Sequence, residues 1–481
     1  MDNKIIRSFI FLAVLGACAS SHGQKFRITD LGALGAGDSS SATGINNSGQ
    51  IACNGTAAFL YSNGSFTNLG SLGGGDSSAI GVNASGQVVG ESALPGGFIY
   101  PAFLYSNGTM QNLGILGSGS EAIGTGINAS GIVVGWSDTS GGGNPHAFIY
   151  SAGMLQDLGT FGGESSYAYA INTAGQIVGY SDSSAGEFGF IYQNGGLTKL
   201  PTIGGQQTVP TAINDAGQVV GYSETTSYWE HAFLYSNGAI TDLGILGGYA
   251  SKATGINASG QIIGITDTNG PQVPFLYENG VMTDLTTLID STGAGMTITE
   301  VNGINDHAQI VGQAYLAGGV FHAVLLTEYF VDEPTSYSIY RGVYYSGSLS
   351  SLFSIDSDYL EVLTGPTLNP QEPPVSVIVN GTSTVASVTD LRLSMTDHVN
   401  TPGLTQTIEL WDYVASAWVK AGSKTATTSN SSQTVIATNP SRFVQTGTNA
   451  IRARVSWKQT GPTLIYRWAA YMDQVVWNVS P

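Results

Sequence analysis

Along residues 26–328, short apolar runs alternate with polar, glycine-rich breaks, and each run has the length and composition of a β-strand without the period of a helix. Four runs recur in a fixed order, as in Ala232-Phe233-Leu234-Tyr235, Ile240-Thr241-Asp242-Leu243, Ala253-Thr254-Gly255-Ile256 and Gln261-Ile262-Ile263-Gly264. An Ile/Val-Asn pair fixes the register at Asn46, Asn83, Asn128, Asn172, Asn214, Asn257 and Asn305, at spacings of 37, 45, 44, 42, 43 and 48 residues. Repetition near 43 residues with four strands per unit is the pattern of a propeller blade.

The breaks carry definite turn chemistry. Asn-Gly follows the first run at Asn63-Gly64, Asn107-Gly108, Asn194-Gly195, Asn237-Gly238 and Asn279-Gly280, with Ala152-Gly153 once in its place. Asn-Gly favours a type I′ hairpin, which needs positive φ at both central residues. A second turn follows each recurring Asn, as in Asn257-Ala258-Ser259-Gly260, where the Asn side chain can bond backbone two residues on.

Seven units predict a seven-bladed β-propeller. The chain enters at Arg27-Ile28-Thr29-Asp30-Leu31, which matches a second run, and leaves at His322-Ala323-Val324-Leu325-Leu326, which matches a first. Pairing these two would complete a mixed blade and remove the free edges of an open array. A β-solenoid is the other architecture of this kind, but its coils usually repeat at shorter spacing.

The phrases His146-Ala147-Phe148-Ile149-Tyr150 and His231-Ala232-Phe233-Leu234-Tyr235, with the Asp-Leu-Gly and Gly-Ile-Asn-Ala-Ser-Gly-Gln phrases, resemble the HAF-repeat family of bacterial extracellular proteins. The resemblance covers 26–328 and implies secretion and repetition, with no established reaction, ligand or catalytic residue. Ala57, Pro101, Val273 and the Phe188-Gly189-Phe190 phrase depart from the His of the motif.

Beyond residue 328 the period stops. Residues 329–338, with Asp332-Glu333-Pro334-Thr335, are expected as a linker, and the alternating strands of 339–481 predict a jelly-roll-like β-sandwich. The segment from Pro440-Ser441-Arg442-Phe443-Val444 to Trp457 resembles an uncharacterised module of bacterial secreted proteins. Trp411, Trp418, Trp457, Trp468 and Trp477 lie here. Strand alternation favours core positions for most of them, against a sugar-stacking surface.

Composition sharpens this picture. The 481 residues hold 66 Gly, and the formal charge is −18. Residues 26–328 have 21 acids against Arg27, Lys199 and Lys252, whereas 329–481 have 9 basic and 11 acidic groups. Such acidity argues against nucleic acid or an anionic membrane as partner. Residues 1–23 read as a secretory signal, with Lys4 and Arg7 before the apolar run from Phe9. Release before Gln24 is favoured, and a lipobox-like Leu15-Gly16-Ala17-Cys18, which would anchor the chain through Cys18, is the alternative. No later segment is apolar and long enough to be a transmembrane helix, and Cys53 lacks a disulfide partner in either case.

Candidate chemistry follows from aligning the units. Cys53 occupies the position held elsewhere by Gly90, Gly135, Gly179, Gly221, Gly264 and Gly312, which points to a small buried residue. His146, His231 and His322 share one position in non-adjacent units, better explained by packing or a local hydrogen bond than by zinc. Asp30, Asp157, Asp242 and Asp284 alternate with Asn68 and Asn112, which suggests acceptors in a turn. Asp138, Asp182, Glu224 and Asp267 follow the fourth run and are candidates to ring one face around Ca²⁺. The position after the recurring Gly varies most: Asn54, Glu91, Trp136, Tyr180, Tyr222, Ile265 and Gln313. Trp136, Tyr180 and Tyr222 are the candidate ligand-binding residues, as a stacking surface for glycan or peptide, with inter-blade packing the competing role. No catalytic residue and no metal ligand is assigned. The expected function is a secreted, monomeric, non-catalytic binding or surface-interaction protein whose partner is a glycan, cell-envelope material or a protein. The alternatives are an extracellular polysaccharide hydrolase or lyase using axial acids, and a structural cell-envelope component.

Overall fold

The computed structural model describes residues 23–34, 39–140, 143–184, 186–356, 358–364, 372–459 and 468–481. The leader expected over 1–23, with Cys18, falls outside them apart from Gly23, which opens a strand. The described regular elements are β-strands and four short 3-10 turns. They form two compact units, Lys25–Glu328 and Tyr329–Pro481. The stretch 329–338 is strand as far as Asp332 and again from Ser336.

The first unit is built from small antiparallel, propeller-like sheets. Six have four strands in chain order, such as Ser166–Ile171, Ile177–Ser183, Gly186–Gln193 and Gly196–Lys199. A further set joins Met296–Ile304, Ile310–Leu316 and Phe321–Asp332 to the N-terminal strand Gly23–Gly32. The strand pairing inferred from the phase of the repeats is therefore present. Each Asn-Gly hairpin takes the left-handed backbone that its residues favour, with φ near +50° at Asn63, Asn107, Asn194, Asn237 and Asn279.

Apolar packing runs from sheet to sheet. Val134 and Ala147 of one sheet meet Ala168, Ile177 and Phe190 of the next, all fully buried. The recurring Gly of each second strand lies beneath its neighbours so closely that a Cβ at Gly90, Gly135 or Gly179 would overlap the carbonyl oxygen of Ser78, Ile123 or Tyr167. Cys53 takes this place in the first sheet and is fully buried. Burial pushes its thiol up to about 12, so it acts as a small apolar side chain and not as a thiolate.

The recurring Asn residues bind the sheets into a cycle. Asn257 is representative: its Oδ1 accepts from the Gln261 N–H at 2.9 Å, while its Nδ2 donates to Gln261 Oε1 at 2.7 Å and to Asn305 O at 3.1 Å. The same donation to the next carbonyl occurs from Asn46, Asn83, Asn128, Asn172 and Asn214, and Asn305 returns to Asn46 O at 3.1 Å. A second rung comes from bulges in the first strands. The extra residue at a bulge turns its side chain out of the ladder. Thr43, Thr125, Thr211 and Thr254 thereby bond carbonyls of the following sheet, and Asn302 bonds Ala42 O.

In the second unit, Ser336–Arg341, Val375–Thr382, Ala450–Gln459, Leu404–Asp412 and Ala417–Thr425 form one sheet, in that order. Val343–Ser346, Leu360–Leu363, Ala469–Ser480, Asp390–Val399 and Ser431–Ile436 form another. One apolar core draws on both, from Val377, Ile408 and Val455 to Leu393, Met472 and Val475. Trp457, Trp468 and Trp477 belong to it, as alternation favours, whereas Trp411 and Trp418 are only partly buried and pair across the first sheet.

Candidate functional site

In an up-and-down sheet, the turns after the first and third strands lie at one end and the remaining connections at the other. The recurring Asn turns and Asn-Gly hairpins share the first end. It surrounds an axial cavity of about 300 Å³ lined by the Ile-Asn pairs and the residue after each Asn. The side chains there are engaged: Asp215 accepts from the Thr173 N–H at 2.9 Å, and Asp306 accepts from the Ala258 N–H at 2.8 Å. This end is chiefly a hydrogen-bonded clamp.

The opposite end differs from unit to unit, and the candidate residues lie towards it. Trp136, Tyr180 and Tyr222 face Ile123, Tyr167 and Val209 across their ladders. The structure joins the first two through a residue not singled out in the sequence: Tyr167 meets Trp136 edge-on at 5.6 Å and stacks on Tyr180 at 4.9 Å between ring centroids. Tyr169, the bulged residue of its strand, stacks on the other side of the row, 5.9 Å from Tyr180. Tyr222 is held differently, with the Lys252 Nζ 4.2 Å from its ring centroid and 2.6 Å from Glu230 Oε2. The Tyr167, Tyr169, Tyr180 and Tyr222 phenols are all shifted above their ordinary range by burial, so they stay neutral donors.

Carboxylates border this row. Burial and then the charge of Glu121 raise Glu91 to about 7, while burial and Asp138 raise Glu121. The electrostatics link residues from adjacent units, Glu91 to Glu121, into one acidic patch. After burial, Asp182 and then Asp138 also contribute to the raised Tyr167 phenol.

The other candidates resolve into local contacts. His146, His231 and His322 each place Nδ1 against a carboxylate, at 2.7 Å from Asp157, 2.9 Å from Asp242 and 2.8 Å from Asp30. These aspartates, with Asn68 and Asn112, accept the N–H two residues on, which is the turn role expected of them. Of the acids considered for Ca²⁺, Asp138 accepts from Ser120, Glu224 from the Gln206 N–H and Asp267 from Gln272. Among the described residues, no group of three or more His, Cys, Asp or Glu is arranged to hold a metal ion.

No family model matches the chain, and no curated protein does. Similar solved structures include TolB from Acinetobacter baumannii, at 12% identity and a TM-score of 0.33, covering 61% of this chain and 65% of that one. An exo-β-1,3-galactanase from Phanerochaete chrysosporium is similar at 10% identity and a TM-score of 0.25, covering 81% and 99%. A carbohydrate-binding module, TmCBM61 in complex with β-1,4-galactotriose, is similar at 12% identity and a TM-score of 0.18, covering 31% and 86%. None reaches a TM-score of 0.5, and none supplies a residue or a ligand to this chain.

Proposed function

We propose that the chain is an exported, monomeric, non-catalytic binding protein, a HAF-repeat seven-bladed β-propeller joined to a jelly-roll-like β-sandwich, which takes a glycan on the variable end of the propeller. The observation that carries this reading is the aromatic row Trp136–Tyr167–Tyr180–Tyr169, which offers stacking faces and neutral phenol donors beside carboxylate acceptors. Sugar rings present C–H faces to stack and hydroxyls to bond, and a few placed polar groups among aromatic rings suit them. The acidic surroundings favour a neutral glycan over an anionic one. Release from the cell is the favoured outcome of export, and anchoring through Cys18 is the alternative. The test is binding of glycans and cell-wall fractions by the wild-type chain and by the Trp136→Ala, Tyr180→Ala, Tyr222→Ala triple variant. Selective loss in a folded variant supports the reading, and unchanged binding to every fraction sinks it.

A polysaccharide hydrolase is the second reading, favoured by one observation: Glu91 is raised to about 7, a value suited to a general acid at neutral pH. Turnover of a bound glycan that disappears in Glu91→Gln would establish it. Binding without turnover leaves the first reading in place.

A further inference from the structure

The first sheet of the C-terminal unit turns one side to the core and the other outward, and its outward side is neither flat nor apolar. Because Val375, Val377, Val455 and Ile408 point inward, their strand neighbours point out. Ser376, Ser456 and Thr407 thus form a row of short hydroxyl side chains across three adjacent strands, with the Ser376 and Ser456 oxygens 2.9 Å apart. Taller side chains stand along both flanks. Arg454 is held by Glu409 at 2.7 Å on one side, Lys458 rises on the other, and Tyr340 and the Arg341–Glu372 ion pair complete the lining. Short residues between tall ones leave a hollow of about 370 Å³. That is within the roughly 300–1,000 Å³ usual for small-ligand sites.

Two further features specify the chemistry. Among the described residues the lining has three cations, Arg341, Arg454 and Lys458, against two carboxylates, Glu372 and Glu409, in a chain whose formal charge is −18. The Arg454 guanidinium carbon also lies 4.8 Å from the Trp418 ring centroid and 6.0 Å from that of Tyr340. These ring contacts and the Glu409 bond restrain the side chain, and a restrained fork of N–H donors matches a carboxylate better than a mobile ammonium does. Ser376 is fully buried and Ser456 nearly so, which leaves the half-buried Thr407 hydroxyl to meet a ligand as donor or acceptor, with Tyr340, 56% exposed, beside it.

We propose that this hollow is a saccharide-binding site for a uronate-bearing glycan, with the carboxylate on Arg454 and Lys458 and a sugar hydroxyl on Thr407. It is a second site, separate from the aromatic row of the propeller and of opposite charge preference.

The test is calorimetric titration of the full chain with tri-galacturonate and tri-mannuronate, and with the carboxyl-reduced form of each. The expected result is saturable binding of at least one acid trimer, weakened by added salt, with its reduced form bound roughly tenfold more weakly or less. Arg454→Gln is expected to lower the affinity for the acid trimer about tenfold while leaving that for the reduced trimer unchanged. Lys458→Gln, which leaves the Arg454–Glu409 pair in place, is the second variant and is expected to act in the same direction. The propeller triple variant is expected to bind the acid trimer as wild type does, so failure of this site and failure of the aromatic row are separately visible. Equal affinity for acid and reduced trimers, no binding of either acid, unchanged affinity in both charge variants, or loss of binding in the propeller triple variant would each overturn the proposal.

Discussion

The two ends of the repeated sheets obey different rules. At one end, the Asn side chain uses both its oxygen and its nitrogen to lock its own turn and to reach the next sheet. A substitution there disturbs two units at once, and the residue recurs in all seven. At the other end the side chain after the recurring Gly ranges from Asn54 and Gln313, which bond Ala79 and Ser40 of a neighbouring unit, to Glu91, Trp136 and Ile265, for which no such bond recurs. Repetition marks the bond that every unit keeps, and variation marks the position where only some units keep one.

The contrast can be broken most forcefully at the glycine beneath the variable residue. Gly179→Val would drive a side chain into the Tyr167 carbonyl, and loss of folded, soluble protein is expected, measured as expression yield and far-UV circular dichroism. At the clamp, Asn257→Ala removes four hydrogen bonds and leaves the Asn305 carbonyl without that donor. A loss of about 3 kcal/mol is expected in denaturant melts, against about 1 kcal/mol or less for Ile265→Ala or another substitution at the variable end that keeps the ladder.

Glu91 tests the variable end by pH. Its ordinary value is 4.5 and its folded value about 7, so the native state holds the proton more tightly than the unfolded chain. Stability then falls as pH rises from about 4.5 to about 7 and is level above that. Glu91→Gln removes the titration, so its melting temperature relative to wild type should increase between pH 4.5 and pH 8. An unchanged difference across that range would show that Glu91 titrates as an ordinary surface acid. The smallest effect is expected for Lys252→Met, because its pair with Glu230 is half exposed. Less than about 1 kcal/mol should be lost, with any larger change appearing in ligand affinity.

Much of the clamp was legible in the residues. The Asn recurrence set the period, Asn-Gly named the hairpins, and the Asp/Asn alternation before Leu gave the turn acceptors. The site was legible only in part. Trp136, Tyr180 and Tyr222 stood out because they occupy one aligned position, whereas Tyr167 and Tyr169 sit on the first strand opposite, where a bulge breaks the two-residue alternation and hides which side chains share a face. Glu91 stood in the same row without distinction, since its elevated proton affinity depends on burial and on Glu121 from the next unit. In the C-terminal unit alternation assigned Trp457 and Trp477 to the core, but the contact of Arg454 with Trp418 and Tyr340 joins strands far apart in sequence.

The clasp between Gly23–Gly32 and Phe321–Asp332 also imposes an order in time. Asp30 emerges early in synthesis, and its partner His322 follows 292 residues later. At a synthesis rate of about 5–20 residues per second, the first strand waits some 15 to 60 s for the strand it must join. Each intermediate sheet can form as its own residues arrive, but the circle cannot be sealed by any partial chain. The last step of folding therefore acts as a length check, passed only by a polypeptide that has been made as far as its seventh repeat.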